Sequence, residues 1–324
     1  MEYRKIGKWG LKVSCLGLGT YLTIGLRCDE QQSYSLVKTA YDAGVNYFDT
    51  ANAYAQGQAE IFLGKILKDF PRSSLVILTK VWAPMGSGAN DRGLSAKHIR
   101  EQCHASLKRL QMDYLDIYLC HRADPETPLE ETILTMEDLA RQGKILYWGI
   151  SEWPIPFILQ AQFLAEKLGA RQMAVSQPRY NLLYRYPEKE LFPVTRQLGL
   201  GHVTFSPLAH GMLTGKYLPG QTPAADTRAA DPETNAVIMK MYWTEENKQK
   251  AQELKKIAKE LGATAAQLAI AWCLRREEVS SVILGARTVE QLKDNLRAVE
   301  IKIPEPILKK LDNIFPPPAA PNIV

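Results

Sequence analysis

The chain has 324 residues, of which 46% are hydrophobic and 23% are charged, a composition typical of globular proteins and not of disordered or fibrous ones. The net charge is +5, and no basic run interleaved with aromatic residues occurs, which argues against nucleic acid as a partner. This mild positive excess favours instead an anionic ligand, such as a phosphate-bearing cofactor.

The cysteines and the N-terminal segment narrow the class of protein further. The five cysteines are widely spaced and form neither a CxxC pair nor a Cys/His cluster, so we expect no disulfide framework and no metal site. The N-terminal segment has no apolar core of a signal peptide, and no apolar stretch is long enough to span a bilayer. We therefore expect a cytoplasmic protein without membrane insertion.

Along the chain, short β-like runs alternate with longer helix-like runs. A parallel sheet requires this alternation, because each crossover needs a covering helix. A hairpin at 3–6 and 11–15 opens the chain and is placed to close the bottom of a barrel. Eight strand candidates follow at 15–18, 46–48, 75–79, 114–120, 145–150, 174–176, 202–205 and 280–284.

Helix-like runs fill the spaces between these strands. The candidates are 30–43, 59–68, 95–110, 129–141, 154–167, 187–197, 265–275 and 289–298. With no Pro/Ser-rich linker, the pattern predicts an α/β fold, a single (β/α)8 TIM barrel across residues 1–324, with a loosely ordered Pro-rich tail at 315–324. Two long connections, 81–94 and 209–244, follow strands and so should lie on the C-terminal face, where such barrels form active sites. A tolerated surface insertion is the alternative for each.

Polar residues end three neighbouring predicted strands. Asp49 ends the second strand with Tyr54 in the loop that follows, Lys80 ends the third and His121 ends the fourth. Each alone has an ordinary structural explanation, since a strand-end Lys is usually solvated and a lone His is usually structural. Together they bring a carboxylate, a phenol, an ammonium and an imidazole to one end of a barrel.

This combination suits proton transfer to an oxygen. A phenol has a pKa near 10 and is a weak acid at neutral pH. An ammonium about 4 Å away stabilises phenolate by about 4 kcal/mol at an effective dielectric of about 20, or at most about three pKa units. Asp49 would hold Lys80 in place and His121 would orient the substrate oxygen. Tyr54 is therefore predicted to act as general acid towards an oxygen that gains charge as hydride arrives.

The segment FDTANAYAQGQAE resembles the active-site signature of the aldo-keto reductase superfamily, and Lys80 and His121 match its other two catalytic positions. The similarity extends over residues 1–313, including KVSCLGLGT, SLKRLQMDYLDIY, SPLAHGMLTGKY and SSVILGARTVEQLKDN. The branch it resembles most contains potassium-channel β subunits and their bacterial relatives. Because channel β subunits carry Asn at the position of His121, this histidine favours an enzyme that turns over.

The resemblance implies that hydride comes from a nicotinamide nucleotide bound across the C-terminal face. The residues matching the nicotinamide site are Thr20, Tyr21, Ser151, Gln177 and Phe205. In this family the serine and glutamine hold the carboxamide and the aromatic residue stacks on the ring. Glu152 stands where many relatives have Asn, and a carboxylate cannot donate a hydrogen bond to the carboxamide oxygen.

The resemblance also assigns residues to the rest of the nucleotide. Those matching the pyrophosphate site are Ser206, Leu208, Lys216 and Arg228, and those matching the adenosine site are Gly285, Arg287, Gln291 and Asn295. Arg287 suits a 2′-phosphate, which favours NADPH over NADH. The alternative is that Arg287 is simply an exposed residue at a helix start.

The function predicted from these residues is reduction of small aldehydes or ketones by NADPH. Arg27 and Trp82 are candidate substrate contacts, with Trp82 either an apolar wall or a loop anchor. The alternatives are a nucleotide-sensing accessory subunit with slow redox turnover and a non-redox (β/α)8 lyase or isomerase. Similar proteins often assemble into tetramers or larger rings, so a homo-oligomer is a further expectation.

Overall fold

Eight parallel strands close into a barrel in a computed structural model of the chain, which describes residues 1–318. The hairpin is β1 (Tyr3–Lys5) and β2 (Lys12–Ser14). The barrel strands are β3 (Leu16–Gly19), β4 (Tyr47–Asp49), β5 (Val76–Val81), β6 (Leu115–Cys120), β7 (Ile145–Ser151), β8 (Val175–Gln177), β9 (Gly201–Thr204) and β10 (Val279–Leu284). The predicted (β/α)8 fold and all eight predicted strands are confirmed. The last six residues of the predicted tail lie outside the described residues.

The strand register determines which side chains share one end of the barrel. Asp49 of β4 pairs with Leu78 of β5, and Lys80 pairs with Leu119 of β6. Because all barrel strands run in parallel, their carboxyl ends form a single rim. Asp49, Lys80 and the residue after β6, His121, therefore meet at that rim.

The barrel has one apolar core inside it and a second between the strands and the helices. Alternate residues of each strand take opposite sides, as the period of two requires. Tyr47 and Leu78 pack inside, whereas Phe48 and Ile77 pack against the helices. Gly17 is required here, since a Cβ at that position would lie 2.2 Å from the Tyr47 ring.

Twelve helices cover the strands of the described chain. They are α1 (Glu30–Asp42), α2 (Gln58–Leu67), α3 (Ala96–Leu110), α4 (Leu129–Arg141), α5 (Ile155–Lys167), α6 (Tyr186–Lys189), α7 (Leu191–Leu198), α8 (Ala236–Met241), α9 (Glu245–Glu260), α10 (Ala265–Leu274), α11 (Val289–Leu296) and α12 (Glu305–Ile314). In residues 1–318, none of the helices has the length and apolarity needed to cross a membrane.

Five of these helices differ from the sequence-based prediction. The helix expected at 187–197 is broken into α6 and α7 at Glu190, whose φ of −134° is not helical. Helices α8, α9 and α12 were not predicted. The sequence of α9 is mostly charged, and its buried stripe includes Ala251, Leu254 and Ile257.

The N-terminal hairpin closes the end of the barrel opposite the rim. Arg4 donates to the carbonyl oxygen of Val279 at 2.9 Å, and Ser280 Oγ donates to the carbonyl oxygen of Lys5 at 2.9 Å. Ile6 and Val13 are fully buried in the inner core. The predicted hairpin is confirmed, and its position leaves the C-terminal rim as the end at which polar side chains converge.

Candidate active site

A buried ammonium lies at the centre of the rim. Lys80 Nζ donates to Asp49 Oδ1 at 2.7 Å, to the carbonyl oxygen of Thr50 at 2.8 Å and to the phenolic oxygen of Tyr54 at 3.3 Å. The Lys80 side chain is 0% exposed. An ammonium has three protons to donate, so each has an acceptor here, and one acceptor is the phenol.

Asp49 is held on both of its carboxylate oxygens. While Oδ1 accepts from Lys80, Oδ2 accepts from Gln177 Nε2 at 2.6 Å and from the Tyr47 hydroxyl at 3.4 Å. These contacts fix the carboxylate, and through it the ammonium. Gln177, which the resemblance assigns to the nicotinamide carboxamide, thus uses its amide nitrogen on Asp49 in this structure.

Tyr54 begins a strained turn that leads into α2. The two residues after it, Ala55 and Gln56, have φ values of 48° and 50°, and Gly57 follows with a φ of 90°. Such left-handed backbone costs about 1–2 kcal/mol for each residue with a Cβ, so the surroundings must hold it. The Arg109 side chain packs against the turn, because a Cβ at Gly57 would lie 2.9 Å from Arg109 Cδ.

Glu60, which the sequence analysis did not single out as functional, ties this turn to the strand that carries Lys80. Its carboxylate is 0% exposed and accepts from Arg109 Nε at 2.6 Å and from Thr79 Oγ1 at 2.5 Å. Thr79 immediately precedes Lys80 on β5. One buried carboxylate therefore links the support of the Tyr54 turn to the neighbour of the ammonium.

The pKa of Tyr54 differs from the sequence-based expectation. Burial, followed by the charge of Asp49 and the proximity of Tyr21, raises the pKa of the phenol well above its ordinary value, and Arg122 opposes this only in part. The expectation that the site lowers this pKa is therefore wrong in direction. The phenol therefore keeps its proton at neutral pH, and its hydroxyl is available to donate that proton.

His121 lies beside the phenol as a neutral imidazole. Its ring is 5.8 Å from the Tyr54 ring, centroid to centroid. Burial, and then the charges of Lys80 and Arg122, lower the pKa of His121 well below its ordinary value. A neutral imidazole can donate from one ring nitrogen and accept at the other, so it can orient an oxygen without adding charge.

The residues matching the nicotinamide site surround this group. Ser151 Oγ donates to the carbonyl oxygen of Gln177 at 3.0 Å, and Thr20 Oγ1 donates to Thr50 Oγ1 at 3.0 Å. The Tyr21 ring is 44% exposed and 5.0 Å from the Tyr54 ring. Phe205 follows β9 and is half-buried.

Glu152 has a backbone role that its sequence position did not predict. Its φ is 54°, in the left-handed region, and its carboxylate accepts the backbone N–H of Arg179 at 2.7 Å. The side chain thus joins the loop after β7 to the loop after β8. This contact gives the Glu152 carboxylate a structural partner.

Three cationic side chains lie near one another beyond the rim. They are Lys216 and Arg228, in the segment after β9, and Arg287, in the segment after β10. Burial, then the charges of Arg228 and Arg287, lower the pKa of Lys216, and burial together with Arg287 lowers the pKa of Arg228. Across residues 1–318, none of the three forms an ion pair with a carboxylate. Asp226 and Asp231 offset these positive charges only in part, so the cluster favours an anionic ligand.

The surroundings of these cations are well ordered by hydrogen bonds. Arg228 Nη1 lies 3.4 Å from His210 Nδ1, and Ser206 Oγ lies 3.3 Å from His210 Nε2. Burial, then Arg228 and Arg179, lower the pKa of His210 to about 3, so the ring is neutral and accepts from Arg228. The Leu208 carbonyl accepts from the backbone of Gly211 at 2.8 Å and closes the turn.

The segment after β10 supplies the residues matched to adenosine. Gln291 Oε1 accepts the backbone N–H of Arg287 at 3.0 Å, while the Arg287 side chain is exposed. Asn295 is buried on α11, and Gly285 is exposed with no atom near the position of a Cβ. Gly285 thus presents an open backbone near the exposed Arg287 side chain.

Arg27 and Trp82, the two predicted substrate contacts, both have other partners within the protein. Arg27 forms ion pairs with Asp231 at 2.6 Å and with Glu233 at 2.8 Å, which join the loop after β3 to the connection at 209–244. Trp82 is half-buried and packs on the core, and its carbonyl accepts the N–H of Gly93 at 2.8 Å. Substrate contact stays a prediction for both, and the Trp82 contacts are those of a loop anchor.

Comparison with known proteins places this geometry in a family. A model described as "Aldo/keto reductase family" matches residues 15–315. Two similar proteins are each named "Probable voltage-gated potassium channel subunit beta", one from Arabidopsis thaliana and one from Oryza sativa subsp. japonica. Each is 43% identical over 305 residues, which cover 93% of this chain and 92% of the relative. The chain belongs to the aldo/keto reductase family, whose members are oxidoreductases that generally bind NAD(P)H.

Proposed function

We propose that the chain is an NADPH-dependent reductase that transfers hydride to the carbonyl of small aldehydes or ketones, with Tyr54 as general acid. The observation that carries this proposal is the arrangement at the rim. The Tyr54 hydroxyl lies 3.3 Å from Lys80 Nζ, and the ring of His121 packs edge-on to the Tyr54 ring. A protonated phenol can donate the proton, a fixed ammonium can stabilise the phenolate, and a neutral imidazole can orient the carbonyl oxygen.

The residues around the rim fit a nicotinamide nucleotide. Ser151 and Gln177 would hold the carboxamide, Phe205 would stack on the ring, and Lys216 and Arg228 would bind the pyrophosphate. Arg287, exposed and without a carboxylate partner in the described chain, would bind a 2′-phosphate, which supports NADPH over NADH. When bound, the reduced nucleotide supplies a hydride to the carbonyl carbon of the substrate.

The protein's own residues handle the proton. As hydride reaches the carbonyl carbon, the carbonyl π electrons move onto oxygen, and the Tyr54 hydroxyl delivers its proton to that oxygen. The phenolate left behind lies 3.3 Å from Lys80 Nζ. At that separation and an effective dielectric of about 20, the ammonium stabilises it by about 5 kcal/mol. Lys80 thus acts on the product of proton transfer, while burial keeps the proton on Tyr54 beforehand.

The test is NADPH oxidation by the purified protein with a panel of aldehydes and ketones. Tyr54→Phe should lower kcat by about 10²–10⁴, the usual contribution of a general acid, because the phenyl ring keeps the packing and loses only the proton. NADPH affinity, measured by fluorescence titration, should stay close to that of the wild type. An intact reduction rate in Tyr54→Phe would remove Tyr54 from the mechanism.

A second function is favoured by the names of the similar proteins. Both relatives carry the name of a potassium-channel β subunit, so this chain is also a candidate nucleotide-sensing accessory subunit with slow redox turnover. His121 favours the enzyme, by the resemblance described above. Tight NADPH binding without reduction of any carbonyl compound above background would favour the accessory subunit. Absence of NADPH binding would instead favour a non-redox lyase or isomerase.

A further inference from the structure

A guanidinium lies at the rim beside Ser151 and the backbone of His121, and the proposed mechanism does not use it. Arg122 immediately follows His121 at the end of β6 and is half-buried. Its Nη1 donates to the carbonyl oxygen of His121 at 2.6 Å and to Ser151 Oγ at 3.4 Å. These two contacts hold the side chain at the rim, next to the residue expected to bind the nicotinamide carboxamide.

Arg122 has no carboxylate partner within the portion of the chain that the structure describes. The two nearby acidic residues, Asp124 and Glu152, accept hydrogen bonds from other groups. Asp124 accepts the backbone N–H of Leu94 at 2.7 Å and Thr127 Oγ1 at 2.8 Å, and Glu152 accepts a backbone N–H. The guanidinium is therefore fixed but not neutralised.

The charge of Arg122 acts on the pKa of Tyr54, Tyr21 and His121. Burial dominates these groups: it raises the pKa of Tyr54 and of Tyr21, and it lowers the pKa of His121. The charge of Arg122 lowers all three pKa values, so it opposes the effect of burial at Tyr54 and Tyr21 and adds to it at His121. Because Arg122 contacts Ser151 and the backbone of His121, an anion bound to it would lie close to the carbonyl being reduced.

The donor set of Arg122 matches an oxyanion. In the described part of the chain, only Nη1 of Arg122 makes hydrogen bonds. The N–H groups of Nε and Nη2 are therefore available to donate to a ligand. These two donors form the planar fork that pairs with a carboxylate or a phosphate. Arg27, the cation expected at the substrate from the sequence, is already paired with Asp231 and Glu233.

We propose that Arg122 is a specificity-determining residue that binds an anionic group of the substrate, so that the preferred substrates are small aldehydes bearing a carboxylate or a phosphate. This inference rests on the proposed reductase function and assigns its substrate class. Arg122 touches the substrate away from the reacting carbonyl, and its contribution is therefore to the choice of aldehyde.

Matched substrate pairs test the charge preference directly. One pair is 4-carboxybenzaldehyde against benzaldehyde, and the other is glyceraldehyde 3-phosphate against glyceraldehyde, so that the two arms separate carboxylate from phosphate. In at least one pair the wild type should show a kcat/KM about 10–100-fold higher for the anionic member, the range that a charged hydrogen-bonded pair gives. Arg122→Met should bring that ratio close to one, and Arg122→Lys, which keeps the charge but loses the fork, should retain part of it.

A control variant separates the specific contact from a general loss of charge. Arg92 is exposed in the connection after β5 on the same face of the barrel. Arg92→Met removes one positive charge there, and the ratio of anionic to neutral kcat/KM should stay at its wild-type value. Equal kcat/KM for both members of both pairs in the wild type, or equal losses for both members in Arg122→Met, would overturn the proposal.

A binding measurement gives a readout that does not depend on turnover. Calorimetric titration of benzoate and of uncharged benzamide, both with saturating NADP⁺, should show tighter binding of benzoate and a loss of more than tenfold in Arg122→Met. Benzoate binding that depends on Arg122 in a protein that reduces no aldehyde would refute the reductase function and keep the anion site. Reduction of aldehydes with no preference for the anionic member in kcat/KM, and no preference for benzoate over benzamide in binding, would keep the reductase function and refute the anion site.

Discussion

Replacing Lys80 by Met tests the buried ion pair that organises the rim. The Asp49 and Lys80 side chains are 5% and 0% exposed and are joined by a 2.7 Å contact. Without the ammonium, the carboxylate stays buried and, among the described residues, keeps Gln177 and the Tyr47 hydroxyl as donors. Breaking a buried pair by removing one partner costs about 3–5 kcal/mol, so the free energy of unfolding should fall by that amount.

A double variant separates stability from catalysis. Asp49→Asn with Lys80→Met removes both charges, and replacement of a whole buried pair is often close to neutral. The double variant should therefore recover at least about 2 kcal/mol relative to Lys80→Met alone. Reduction should not recover, because the phenolate of Tyr54 has still lost its ammonium, a loss of at most about 10³–10⁴ in rate.

Urea unfolding followed by tryptophan fluorescence, for the wild type, both single variants and the double variant, gives the stability cycle. Steady-state NADPH oxidation with one aldehyde gives the rates for the same four proteins. The reasoning is refuted if Lys80→Met is as stable as the double variant, since the lone carboxylate would then cost nothing. It is also refuted if the double variant regains reduction, since Lys80 would then serve only to neutralise Asp49.

Three further variants test other parts of the structure. Arg287→Ala should weaken NADPH about 10-fold or more but change NADH little, as a charged hydrogen bond to a 2′-phosphate implies; equal losses in fluorescence titrations would count against this role. Gly57→Ala should lower kcat without weakening NADPH, because its Cβ would meet Arg109 and shift the turn that carries the phenol. Gly143→Ala is the matched control, with a φ of +70° and no atom near its Cβ, and a similar fall in kcat there would contradict the explanation. Burial lowers the pKa of His202 from 6.5 to about 3. Between those values the unfolded chain binds a proton that the native protein does not, so the free energy of unfolding should fall as pH falls. His202→Gln should flatten that part of the curve in urea titrations, and an unchanged slope would show that this histidine is not the cause.

The fold was predictable because its signals are local. Runs such as VILTK at 76–80 are apolar, bounded by turns and ended by a polar residue, and the strand ends alone placed Asp49, Lys80 and His121 on one rim. Helix α9 was missed because its sequence is mostly charged, although Thr244 caps it and its buried residues recur at helical spacing.

The parts of the site that were missed depend on contacts between distant residues. Arg27 lies 204 residues from Asp231, and nothing in either segment indicates that they pair. The direction of the Tyr54 pKa depends on burial in the folded chain, which a strand-end pattern does not contain. Arg122 is the exception, since a cation directly after His121 could have been identified from the sequence HRADP.

Closure of one end of the barrel by the hairpin restricts how molecules reach the reacting groups. With Ile6 and Val13 filling the base, the polar groups of the rim are reached from solvent at the opposite opening. If nucleotide and substrate both bind at the rim, as proposed, they enter and leave by the same side of the barrel.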